Sequence, residues 1–335
     1  MPRGDPMLRV AITGLGAVAA TGIDLAELGA ALRWGLPLHA AAPPVLTAHL
    51  EEAELQAFDR ASQLAVVAAR LAFADAGEPR HDPGSLGVSF GNTYGCLGAQ
   101  VELDRMVLTD GPRAMRGSLF PYGVFNAPAA NVAIALHARG PNLTQATGEA
   151  AGTDACAAAA RQIECGDADA MLVGGVETIP AELSVWRDAL GGPRVSPAEG
   201  AAVLMLESGE IAARRGAKIH GHIVGASSRL AGEATRESRA RAAVASARSA
   251  LAEACVTPAE LRFVVGDLAC LEELFDGLPP PSLTPRVVLG DLLSAAGTFQ
   301  LLAALLAPPR GTGPGAILSL SLSQHGIATS LVLTS

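Results

Sequence analysis

Two acidic residues stand where short turns run into alanine-rich helices. Glu149 lies in Thr147-Gly148-Glu149, just before the expected Ala150–Cys165 helix, and Asp291 follows Gly290 before Leu292–Leu306. A helix N-terminus offers unpaired N–H groups and positive potential, so it is a natural seat for a nucleophilic thiolate. Here the seat holds a carboxylate. Two carboxylates at paired helix starts could work as general acid and general base. They equally fit ordinary first-turn and N-cap chemistry. Cys156, deep in an alanine run, reads as a small buried hydrophobe. His325, in Ser323-Gln-His-Gly326, is either a surface loop histidine or a site residue. His220 and His222 share a strand face without a third ligand nearby, which is weak support for a metal. Gly14-Leu-Gly-Ala-Val-Ala19 matches the GxGxxA spacing of a dinucleotide loop. The helix signal comes only later, at Asp24, so a tight packing turn is the stronger reading.

The elements that must carry these residues recur. Asp59–Ala76 and Ser238–Ala254 read as long amphipathic helices, each followed by a short apolar strand (Leu86–Phe90, Phe263–Val265). Each strand is followed in turn by an Ala/Leu-rich helix and another strand (Ala170–Val176, Ile317–Leu322). The expectation is a duplicated α/β unit, split as 1–215 and 216–335. Pseudo-symmetry should then bring Glu149 and Asp291 together.

The 335 residues are 50% hydrophobic but only 4% aromatic, so the core must be packed from small aliphatic side chains. Lys and Arg number 24 against 33 Asp and Glu, a net charge of −9, which argues against nucleic acid. Mean hydropathy is +0.33, yet no apolar run is long enough for a spanning helix. The N-terminus lacks a signal-peptide pattern and the five cysteines form no CxxC, so a reducing cytoplasmic location is expected.

Taken in order, several segments resemble the β-ketoacyl-acyl carrier protein synthases of the thiolase-like fold. They are Arg9–Val18, Asp59–Ala65, Gly140–Thr144, Gly166–Glu177, Glu199–Glu207, Arg215-Gly-Ala, Ile223-Val-Gly225, Leu289–Gly297 and Thr329–Leu333. The resemblance implies a five-layer α-β-α-β-α arrangement. It also implies where catalysis has been lost. Thr147-Gly-Glu-Ala-Ala-Gly152 puts Glu149 at the family's cysteine position. Leu289-Gly-Asp-Leu292 puts Asp291 at its second histidine. Val264-Val-Gly-Asp-Leu268 runs on without the first-histidine loop. Arg286 stands for a lysine, and Ser323–Ala328 for a gating loop without its phenylalanine. The chain is further shortened between Trp186 and Glu199 and again at Leu306–Ile317, around the presumed mouth of the site.

Thr147, Arg286, Gln324 and His325 are the pocket residues so implied. Glu149 is expected to fill space and cap its helix. If the two carboxylates are close and buried, one pKa should rise. A carboxylate is a poor thioester-forming nucleophile, and an anion at 291 would repel enolate charge. The implied function is a non-catalytic, chain-length-factor-type subunit that pairs with an active synthase in polyketide, aryl-polyene or fatty-acid type biosynthesis. No cofactor, metal or membrane is expected. An acyl chain on an acyl carrier protein is the expected ligand, and a homodimer is the alternative assembly. The alternative activity is decarboxylation or hydrolysis of malonyl- or acyl-carrier protein by Glu149 and Asp291.

Overall fold

The computed structural model describes residues 10–36 except 21, then 45–180, 183, 185, 197–309 except 234, 267, 276 and 278, and finally 311 and 313–335. The shortened stretch after Trp186 and the start of the first strand therefore lie outside the described residues.

Among the described residues, ten strands form one sheet. They are β1 (Val10–Val18), β2 (Leu86–Gly91), β3 (Asn142–Gln145), β4 (Ala170–Glu177), β5 (Gly200–Ser208), β6 (Gly221–Leu230), β7 (Leu261–Gly266), β8 (Ser282–Leu283), β9 (Ala316–Leu322) and β10 (Ile327–Thr334). Their order is β3-β2-β4-β5-β1-β6-β10-β9-β7-β8. The second half thus mirrors the first, strand for strand. The parallel pairs β2–β3 and β2–β4 match β7–β8 and β7–β9. The antiparallel pairs β4–β5 and β5–β1 match β9–β10 and β10–β6. The halves join where Val10, Ala11 and Ile12 meet Ile223, His222 and Gly221.

Five helices set the layers: α1 (Leu25–Trp34), α2 (Arg60–Asp75), α3 (Ala151–Cys165), α4 (Arg236–Ala254) and α5 (Ala296–Leu306). Helix α2 covers the outer face of the first half-sheet, and α4 covers that of the second. Helices α3 and α5 lie between the halves, sharing one core with Met171, Val173, Phe263, Ile317 and Leu331. This is the five-layer α/β, thiolase-like arrangement. The helix starts follow local chemistry: Asp24 accepts from the Ala26 and Glu27 N–H groups, Asp59 from Ser62, and Thr235 from Ser238.

Glycine explains the first strand. A Cβ on Gly14 or Gly16 would lie 2.1 Å from the Ala72 or Ala68 carbonyl oxygen of α2. The GxGxxA spacing therefore serves strand-to-helix packing, and β1 runs straight through it to Val18. Helices at Glu52–Ala57, Leu97–Asp110 and Ala127–Ala135 escape the sequence reading.

Candidate functional site

Helices α3 and α5 cross through matching tripeptides, Ala151-Gly152-Thr153 and Ala296-Gly297-Thr298. A Cβ on Gly297 would sit 2.0 Å from Thr153 Oγ1, and one on Gly152 would sit 2.6 Å from Thr298 Oγ1. This reciprocity corrects the expected symmetry. Three residues before each glycine stand Glu149 and Ser294, so Ser294, not Asp291, is the counterpart of Glu149. Asp291 lies one step further back, in the connection leading to α5.

Glu149 and Asp291 nevertheless line the same cavity, of about 190 Å³, with Arg286, Gln324, Gln300 and Ser321 as its other polar walls. Leu289, Leu292, Phe299, Leu320 and Leu322 supply an apolar side. Four of the six residues singled out by sequence thus meet in one place. Thr147 instead donates its hydroxyl to Asp154 Oδ2 at 2.6 Å. His325 is exposed and lies over Gly148, whose added Cβ would come 3.6 Å from its ring.

Neither carboxylate stands alone. Asp291, 3% exposed, accepts from Arg286 Nη2 at 2.7 Å and from the Leu293 N–H at 3.3 Å. Its main chain is also fixed, because its carbonyl accepts from Ala198 N–H at 3.0 Å. The half-buried Glu149 accepts from the Gln324 N–H at 3.1 Å. That bond spans the fold, in place of the expected helix cap. The guanidinium and the peptide N–H offset the two anions that sequence reasoning set against each other.

The Arg286–Asp291 pair is thereby testable. Arg286→Met leaves a buried carboxylate without its guanidinium and is expected to cost about 2 kcal/mol, discounted because the guanidinium is half exposed. Adding Asp291→Asn should recover most of it in chemical denaturation. Full loss in the double variant would show that the pair itself is not the cause.

The described thiols offer no substitute nucleophile. None lines the cavity. Burial pushes the Cys156 thiol up to about 12 and the Cys96 thiol up to about 11. His220 bonds Asp75 Oδ2 at 2.7 Å, and burial lowers the pKa of both His220 and His222. Among the described residues, no three His, Cys, Asp or Glu side chains gather as a metal site would require. No described helix is long and apolar enough to cross a membrane.

Sequence reasoning missed Glu177. It ends β4, fully buried, and accepts from the Tyr94 N–H at 3.0 Å, the Thr178 N–H at 3.3 Å and the Ser294 hydroxyl at 2.8 Å. Burial outweighs these bonds and pushes its pKa up to about 7. The available signal was an acid closing an otherwise apolar strand, Ala170–Val176. Glu177 thus ties β4 and the Tyr94 loop to the start of α5, beside the Asp291 connection.

The profile of the β-ketoacyl synthase N-terminal domain matches residues 32–187. The 3-oxoacyl-[acyl-carrier-protein] synthase 2 of Staphylococcus aureus (strain N315) is 31% identical over 198 residues, covering 53% of this chain and 48% of that protein. The chain spans about half the length of the curated relatives it matches. The ishigamide ketosynthase/chain length factor superposes with a TM-score of 0.87 at 22% identity, over 98% of this chain and 99% of that one. A type II polyketide synthase acyl-carrier protein in complex with its ketosynthase bound to the hexaketide gives 0.79 at 22%, with 98% and 99% coverage. At these identities the two structures establish the fold.

Proposed function

We propose that the chain is a member of the thiolase-like ketosynthase family and, within it, a non-catalytic, chain-length-factor-type subunit. It pairs in the cytoplasm with an active β-ketoacyl synthase and works on chains held by an acyl carrier protein. The cavity carries the reading. Glu149, which the resemblance sets at the family's nucleophile position, is tied to a backbone N–H, and Asp291, set at its second histidine, is tied to an arginine. A condensing site needs a thiolate and donors for enolate oxygen. Acid–base chemistry by the same two residues fits less well, because both carboxylates are already engaged. The kept fold supports a partner role, and so does the edge strand β3, which has one sheet neighbour among the described strands. The ketosynthase/chain length factor and the ketosynthase–carrier complex among the structural neighbours are consistent with both partners.

Co-expression with an active ketosynthase from the same organism, followed by affinity purification through a tag on that enzyme, tests the proposal. The expected result is one-to-one co-purification, with the chain poorly soluble when made alone. A soluble chain that stays apart from the synthase, or that turns over malonyl-carrier protein by itself, overturns it.

A further inference from the structure

The turn between β9 and β10 covers the cavity and is held from two sides. The Gln324 N–H donates to Glu149 Oε2 at 3.1 Å, while the Gln324 carbonyl accepts from Arg239 Nη1 at 3.3 Å. Within the turn, the Ile327 N–H donates to Ser323 Oγ at 3.1 Å, and Ser323 N–H to the Ile327 carbonyl at 2.8 Å. Gly148 takes φ +68° directly beneath, where an added Cβ would come 3.4 Å from Ser323 Cβ. The turn therefore sits close on the Thr147–Glu149 segment. Of the two anchors, Glu149 lies in the cavity wall and Arg239 outside it.

A backbone N–H fixed at a cavity is a ready donor for a ligand oxygen, strongest toward an anionic or polarised one. Here that donor is already taken by the chain's own carboxylate. We propose that Glu149 is a built-in ligand, which occupies the oxygen-binding position offered by the Gln324 N–H and pins the turn so that the cavity stays closed to acyl groups. The excluded class is the acyl thioester. Its carbonyl oxygen would compete for the same N–H while its alkyl chain lay along Leu289, Leu292, Phe299, Leu320 and Leu322. This goes beyond the partner-subunit reading and does not depend on it, because it concerns contacts within one chain.

Three variants test it: Glu149→Ala, Glu149→Gln and Arg239→Met. Each is compared with the parent by amide hydrogen exchange across residues 323–327 and by binding of hexanoyl-N-acetylcysteamine. Loss of a charge-assisted bond should speed Gln324 exchange about tenfold in Glu149→Ala. Hexanoyl-N-acetylcysteamine should then bind about tenfold or more tightly. Glu149→Gln keeps an oxygen acceptor and should stay near the parent in both measurements. Arg239→Met should speed exchange without gaining thioester binding, since Glu149 still fills the site. Parent-like exchange and binding in Glu149→Ala overturn the proposal. Should that variant unfold, thioester binding about tenfold tighter in Arg239→Met than in the parent overturns it equally, because a loosened turn would then admit the acyl group with Glu149 still in place.

Discussion

Glu149→Cys is expected to yield no β-ketoacyl product, at least about 10³-fold below an active synthase assayed in parallel. The new thiol would sit at the start of α3, where helix N–H groups favour a thiolate. That meets one need of a condensing enzyme and leaves two unmet. Decarboxylation of a malonyl group develops charge on an enolate oxygen, which must meet donors already in place. Among the described residues lining the cavity there is no histidine, and Arg286 is bound to Asp291. Enolate oxygen would approach an aspartate where it needs an N–H. The measurement is product formation from acyl- and malonyl-carrier protein by mass spectrometry. Steady turnover by the single variant would overturn both this argument and the non-catalytic reading.

The second large effect is a pH dependence centred on Glu177. Its carboxyl titrates near 4.5 in an unfolded chain and at about 7 in the fold, because burial disfavours the anion. A raised carboxyl pKa means that the folded state holds the proton more tightly. The stability from this group is complete below pH 4.5 and is lost as pH rises through 7. The loss amounts to about 3 kcal/mol by pH 8. Glu177→Gln imitates the protonated acid: its oxygen can accept from Tyr94 and Thr178, and its amide can donate to Ser294. The variant should therefore lose less stability than the parent between pH 5 and pH 8 in urea unfolding. The two proteins differ at residue 177 alone, so the difference isolates that residue. Parallel pH profiles for parent and variant would refute the assignment.

Much of the fold was legible. Apolar runs located the buried strands, and side-chain caps at Asp24 and Asp59 located helix starts, because both signals are local. The helices at Leu97–Asp110 and Ala127–Ala135 were not legible. The first is amphipathic only weakly, with Leu103 and Met106 its buried residues, and the second opens on Asn126-Ala-Pro, which reads as a turn. Gly14 and Gly16 match the spacing of a nucleotide loop, but the late helix signal at Asp24 already favours a packing turn. Spacing cannot say which helix the missing side chains make room for, and the structure shows α2.

The sequence by itself determined which groups are available near the site. The resemblance implies that Glu149 and Asp291 replace a thiol and an imidazole, and no tertiary contact can turn a carboxylate into either. It also determined the small-residue core, since α3 and α5 approach through Gly152 and Gly297. Only the tertiary structure decided what those carboxylates do. Glu149 reaches a peptide N–H 175 residues away, and Asp291 is charge-paired with Arg286. The true counterpart of Glu149, Ser294, is bound to the buried Glu177. The role of a buried charge depends on what surrounds it, and those surroundings come from segments far apart in the chain.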